Sequence, residues 1–170
     1  MDADALRALQ APLKQQYRDE PGAAVVTLTA EGDIDDLGIA CKIETGRALV
    51  VAGLHPATGG SGLEACSGDM LLEALVACAG VTLKAVATAI GIEIASARVR
   101  AEGDLDFRGT LGVDREAPVG FSDIRLRFDL DSDATQEQRE QLLKLTERYC
   151  VVLQTLRGTP AISAALTAAS

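Results

Sequence analysis

Cys41, Cys66, Cys78 and Cys150, together with the single histidine His55, are the residues whose types could carry nucleophilic or redox chemistry. Their spacings contain no Cys-x-x-Cys pair, so a zinc site built from Cys and His is not expected. A Ser/His/Asp or Cys/His triad would have to use His55, which sits in a loop beside Pro56. Cys78 and Cys150 stand apart because each falls inside a helical pattern. As thiolates they could attack a peroxide or a disulfide, and a nearby cation favours that form. The competing reading is that each is a small inert hydrophobe in the core. Periodicity alone leaves both readings open.

Two helices would have to position these sulfurs. The first runs from about residue 69 to 90, with Ser67 as N-cap, Asp69 in the first turn and Gly91 as the stop. Leu71, Leu75, Cys78 and Thr82 share one face, and Leu72, Val76, Ala79 and Val86 broaden it, so burial on most sides is expected. Cys78 lies about ten residues inside this helix, where the dipole of the helix's own N-terminus reaches it weakly. The second helix follows a cap at 131–135, where Thr135 and Gln138 fit a capping box loosely. It carries Leu142, Leu143, Leu145, Tyr149, Cys150, Leu153 and Leu156 and ends at Gly158-Thr159-Pro160. Glu147 and Arg157 share the Cys150 side of it.

Around these helices the chain is mostly strand. Residues 1–22 form an N-terminal helical arm in which Leu6, Leu9, Leu13 and Tyr17 share a face, Pro12 kinks the pattern and Pro21-Gly22 ends it. Strands are expected at 24–29, 39–45 and 48–54, with turns at 33–38 and 45–47, as an antiparallel meander. The glycine-rich loop 55–68 lacks the spacing of a phosphate-binding loop and reads as a segment passing close to another backbone. Strands return at 93–102 and, with strict alternation, at 121–130; 105–109 extends the first or opens a hairpin, and 161–166 forms a last short strand. Strands group with strands, which is an α+β arrangement and not a Rossmann-type parallel sheet.

Composition narrows the function classes. A chain of 170 residues fits one domain with a real core, built from Leu, Val, Ile and Ala because aromatics are 3% and tryptophan is absent. With 16 basic against 25 acidic residues the net charge is -9, which disfavours nucleic acid and anionic membranes as partners. The apolar run near 71–92 is interrupted by Glu73, Thr82 and Lys84, so no membrane span is expected. Met1-Asp2-Ala3-Asp4 is acidic where an export signal would be basic, and a cytoplasmic location with reduced cysteines follows as the expectation.

The segment Cys66-Ser67-Gly68-Asp69-Met70-Leu71-Leu72-Glu73-Ala74-Leu75-Val76-Ala77-Cys78 resembles the approach to the first cysteine in the OsmC/Ohr family of hydroperoxide reductases. The Gly59-Gly60 loop, Asp104 to Gly109, Phe121-Ser122-Asp123-Ile124 and the context of Cys150 in Glu147-Arg148-Tyr149-Cys150-Val151-Val152 are also similar to it. The likeness spans about residues 23–167, and residues 23–170 are read as an OsmC-like domain. It implies antiparallel sheets packed on two central helices in an intertwined homodimer, with active sites at the subunit interface. It further implies a thiol peroxidase of oxidative and osmotic stress defence. Cys78 would take oxygen from an organic hydroperoxide, Cys150 would resolve the sulfenic acid as a disulfide, and an external thiol or lipoyl group would reduce it, with no metal or flavin cofactor.

The pattern departs from the family at the groups that hold the thiolate. Gly68 stands where a glutamate is usual, the nearest acid is Asp69, and Arg47 and Arg157 are the available cations. The usual Cys-Pro pair is Cys150-Val151 here. The alternative is an OsmC-like dimer without peroxidase activity that binds a small apolar ligand at the interface, and a third reading is a scaffold dimer that uses both cysteines as packing.

Overall fold

The computed structural model describes residues 2–19, 31–34, 40–44, 49–112 and 114–167. The expected strand at 24–29, the turn at 45–47 and Arg47 lie outside them. The arm is helix α1 (Ala3–Asp19), which runs through Pro12 instead of splitting there. Its start is held by the Asp2 carboxylate accepting the Ala5 N–H at 2.8 Å.

Among the described residues, four short strands follow: β1 (Glu31–Ile34), β2 (Ala40–Glu44), β3 (Leu49–Gly53) and β4 (Ala65–Cys66), ordered β1-β2-β3-β4. β1 occupies part of the stretch expected to turn, pairing Asp33 with Lys42 and Ile34 with Cys41. The meander is antiparallel through β3, but β4 pairs with β3 in parallel, Ala52 to Ala65 and Gly53 to Cys66. Two residues of strand are too short to leave a period-two signal in sequence. The loop between them does pass close to backbone: a Cβ on Gly60 would stand 1.7 Å from the Leu54 carbonyl oxygen, so glycine is required there. His55 caps the 3-10 turn Pro56–Thr58 by accepting the Ala57 N–H on Nδ1 at 3.0 Å, and its ring stacks on Phe107 at 4.9 Å.

Helix α2 (Ser67–Ile90) starts two residues earlier than its sequence pattern indicates. Its N-cap is Cys66, which makes no side-chain capping bond, in place of Ser67. Gly91 closes it at φ 75°, a left-handed conformation that glycine adopts without strain. In length and composition α2 would suffice to cross a membrane; against the expected burial on most sides, only its stripe of Leu75, Ala79, Leu83 and Ala87 is buried, because the rest of the fold packs on that one side and leaves Leu71 and Val81 exposed.

Strands β5 (Ser96–Leu105) and β6 (Phe121–Asp131) form a second, antiparallel sheet, with the short helix α3 (Phe107–Thr110) between them. The pairing sets Asp104 opposite Asp123, and Arg125 donates to both carboxylates at 2.5 and 2.6 Å, which offsets their repulsion. α2 packs between β5 and the last two helices, α4 (Gln136–Tyr149) and α5 (Val151–Arg157). The capping box at the start of α4 is complete: the Thr135 N–H reaches the Gln138 side chain at 2.8 Å and the Gln138 N–H reaches the Thr135 hydroxyl at 3.3 Å. Residues 161–166 form no strand; Ile162 and Leu166 are 88% and 102% exposed. A strand needs a neighbour for its backbone groups, and within one chain this segment pairs with none among the described residues.

Candidate active site

Cys150 does not lie in the middle of a helix. It is both the last cap of α4 and the first cap of α5, with φ -72° and ψ 106°. Its N–H still donates to the Thr146 carbonyl and its own carbonyl accepts the Gln154 N–H, both at 2.9 Å. Between those two bonds the ladder is interrupted. In an unbroken helix the N–H groups of Val151 and Val152 would reach the carbonyls of Glu147 and Arg148. Here the Gln154 side chain donates to the Glu147 carbonyl at 2.7 Å, and Arg157 donates to the Glu147 carboxylate at 3.0 Å. Two side chains of α5 thus bracket the break, and two β-branched residues follow it, where helix preference is reduced. Gln154→Ala leaves the Glu147 carbonyl without that donor. The expected loss is about 1 kcal/mol, a fall in Tm of roughly 2–4 °C for a chain of this size, read by thermal unfolding; an unchanged Tm would mean that the break holds without it.

The freed N–H groups act on Cys78, the twelfth residue of α2. Cys78 is half-buried and packs against the cluster of Leu75, Ala79, Cys150 and Leu153. Burial pushes its thiol up, and four donors outweigh that: the Val152 N–H, the Cys150 thiol, the Val151 N–H and the Thr82 hydroxyl. The net result is a thiol below its ordinary range, ready to ionise. Cys150 moves the opposite way. It is wholly buried, and burial outweighs the favourable Leu153 and Val152 N–H groups, while donating to an anionic Cys78 favours its protonated form. The pair is therefore asymmetric, with the sulfur on α2 easier to ionise than the one on the α4–α5 junction, and the two sulfurs are free of any disulfide.

The other site residues read from sequence are not brought to this pair. Arg157 is committed to Glu147, and Asp69 is exposed, 2.5 helical turns before Cys78. Asp69 lines a separate cavity of about 360 Å³ with His55, Cys66, Phe107 and Phe121. Neither is among the groups that shift Cys78. The sequence pattern sets Thr82 on the Cys78 face, four residues on, but does not mark it as a donor to that sulfur. Sequence reasoning missed Val151 and Val152, whose contribution comes from backbone freed by a break that no proline or glycine announces. Between β6 and the α4–α5 helices runs a groove of about 840 Å³ that neither sulfur lines, with Leu75, Phe128, Leu142 and Leu153 in its wall beside charged residues that include Arg127 and Arg139.

The family model for OsmC-like proteins matches residues 60–165, which is 106 of the 170 residues and includes both helices and both sulfurs. The chain belongs to the OsmC-like family. Solved structures of OsmC-like proteins share its fold. An OsmC-like protein of Mycoplasma pneumoniae superposes with a TM-score of 0.65 at 16% identity, covering 78% of this chain and 89% of that one. An organic hydroperoxide resistance protein of Legionella pneumophila, described as a predicted redox protein, gives 0.62 at 18% identity over 79% and 92%. One of Elizabethkingia anophelis gives 0.62 at 16% identity over 79% and 91%. No curated protein matches the sequence. The expected α+β OsmC-like architecture is therefore correct; the parallel β3–β4 pair, the break at Cys150, the start of β1 within an expected turn and the lack of a strand at 161–166 are differences of detail.

Proposed function

We propose that this OsmC-like protein is a thiol peroxidase that reduces organic hydroperoxides, with Cys78 as the attacking sulfur and Cys150 as the resolving one. The observation that carries the reading is the asymmetric thiol pair, in which four donors converge on Cys78 and burial keeps Cys150 protonated. In the first step the Cys78 thiolate attacks the terminal oxygen of the hydroperoxide. The O–O bond breaks, a proton reaches the departing alkoxide, and the products are an alcohol and a sulfenic acid on Cys78. In the second step Cys150 attacks that sulfur. A disulfide forms, the S–O bond breaks, and the hydroxide leaves with the Cys150 proton as water. An external dithiol, such as the reduced (dihydro) form of a lipoyl group, returns both sulfurs to thiols by exchange and leaves as its own disulfide. On this reading the protein would act in defence against organic peroxides, in a reducing compartment such as the cytoplasm.

The same reading includes a homodimer. Val81 on α2, one turn after Cys78, is 73% exposed, and Ile162 and Leu166 project from the chain; a second copy would cover such apolar positions. The test is thiol titration of the reduced protein after mixing with cumene hydroperoxide. The expected result is a loss of two thiols per chain, faster than free cysteine reacts. Loss at the free-cysteine rate would refute the proposal. The groove of about 840 Å³ favours a second reading, a dimer without peroxidase activity that holds a small apolar ligand, and that reading gains if the thiols prove inert while an apolar probe binds.

A further inference from the structure

Thr146 is a polar residue that the fold leaves unexplained. It is 1% exposed, and its hydroxyl oxygen has no hydrogen-bond partner among the described residues. Burying an unpaired hydroxyl opposes folding. A helical threonine has a ready remedy in donating to the carbonyl one turn back. Thr88 does so to Lys84 at 2.8 Å and Thr155 does so to Val151 at 2.9 Å. Thr146 does not, although it lies within α4. Its position is one turn before Cys150, in the buried stripe of Leu142, Thr146, Cys150 and Leu153, and its carbonyl takes the Cys150 N–H.

We propose that the Thr146 hydroxyl is a hydrogen-bond donor held in reserve for the Cys150 sulfur, engaged when Cys150 becomes a nucleophile. The inference rests on the peroxidase reading and concerns its second step. In the reduced pair Cys150 donates its proton toward Cys78 and needs no donor itself. Once Cys78 carries a sulfenic acid, Cys150 has to develop negative charge in a cluster with Leu75, Ala79 and Leu153, where burial outweighs the Leu153 and Val152 N–H groups that favour the anion. Glu147 and Arg157, on either side of it in sequence, are paired with each other. Thr146 can donate to the developing thiolate without breaking an existing bond, while the Cys150 proton leaves with the hydroxide as water. A donor free in the resting state and used in the reacting one stabilises the transition state selectively.

The experiment uses the full chain with Thr146→Val and Thr146→Ser. Each is reduced and given one pulse of cumene hydroperoxide. Sulfenic acid is followed by dimedone trapping and disulfide by thiol count. Thr146→Val is expected to lengthen the life of the sulfenic acid about tenfold, the effect of one hydrogen bond to a charged sulfur, with the initial oxidation rate unchanged. Thr146→Ser is expected to restore resolution. The Tm of Thr146→Val should equal or exceed that of wild type, because no hydrogen bond is lost on substitution. Resolution at the wild-type rate in Thr146→Val, or failure of Thr146→Ser to differ from it, overturns the assignment, and a lower Tm for Thr146→Val assigns Thr146 to packing instead. If the wild type itself forms no sulfenic acid, the peroxidase reading fails first, and the role of Thr146 fails with it.

Discussion

Cys78→Ser is expected to abolish turnover of cumene hydroperoxide, whereas Cys150→Ser keeps the first oxidation and loses the second step. The two variants separate the sulfurs because their surroundings differ. Cys78 is the half-exposed sulfur on which the Val152, Cys150, Val151 and Thr82 donors converge; Cys150 is wholly buried and held protonated. A serine hydroxyl in the Cys78 position is not ionised near neutrality and cannot accept the peroxide oxygen. The covalent route is then closed, a loss on the order of 10³-fold, which is about 4 kcal/mol of transition-state stabilisation. In Cys150→Ser one dimedone adduct per chain should accumulate on Cys78. Mass spectrometry of the trapped peptides reads both outcomes. Equal rates for Cys78→Ser and wild type, or an adduct on Cys66 in place of Cys78, would remove Cys78 from the mechanism.

Val151→Pro is expected to slow the first step at neutral pH and move its pH dependence upward. The family's usual residue at this position is proline, so the substitution restores the common pair while removing an N–H. That N–H is one of the groups that lower the Cys78 thiol. The backbone at the first position of α5 suits proline, whose ring tolerates the first turn of a helix, and the Val151 side chain is 70% exposed, so folding should be little affected. The sign follows from the direction of the shift. Cys78 now sits below the ordinary thiol range, and loss of a donor raises it. A smaller fraction is then thiolate near neutrality, and the rising limb of rate against pH moves to higher pH. The loss at pH 7 should be about tenfold, the scale of one hydrogen bond to a charged group of about 1.5 kcal/mol. At a pH where Cys78 is fully ionised in both proteins, the rates should converge. A variant as fast as wild type at pH 7, with the same pH midpoint, would show that the Val151 N–H does not hold the thiolate.

These two expectations answer the departures from the family pattern in physical terms. The glutamate position is Gly68, the candidate cation Arg157 is neutralised by Glu147, and Arg47 lies outside the described residues. Among the described residues, the donors that lower Cys78 are dipolar groups and a thiol, with no cation. Valine after Cys150 keeps an N–H that proline would lack. The break in the helix turns that N–H, and the next, away from their own ladder and toward the opposite sulfur.

The pairing of Cys78 with Cys150 came from the family resemblance, whereas the sequence by itself determined the α+β class, the helix that carries Cys78, the alternation of β6 and a close backbone approach within the loop 55–68. Each of these last four rests on a local regularity. Helical stripes, period-two alternation, capping residues and glycine all act within a few residues along the chain. The tertiary structure decided what those regularities do not encode. It placed β4 parallel to β3, ended α4 at Cys150 and committed Arg157 to Glu147. The interruption at Cys150 has no local mark, because Leu142, Cys150, Leu153 and Leu156 still read as one helical face. The break is held by Gln154 and Arg157 reaching back to Glu147, contacts that exist only once the chain has folded. A thiol's ionisation is a sum over whatever surrounds it in space. Val151 and Val152 are more than seventy residues from Cys78 in sequence, so the groups that lower its thiol could be read only from the packed structure.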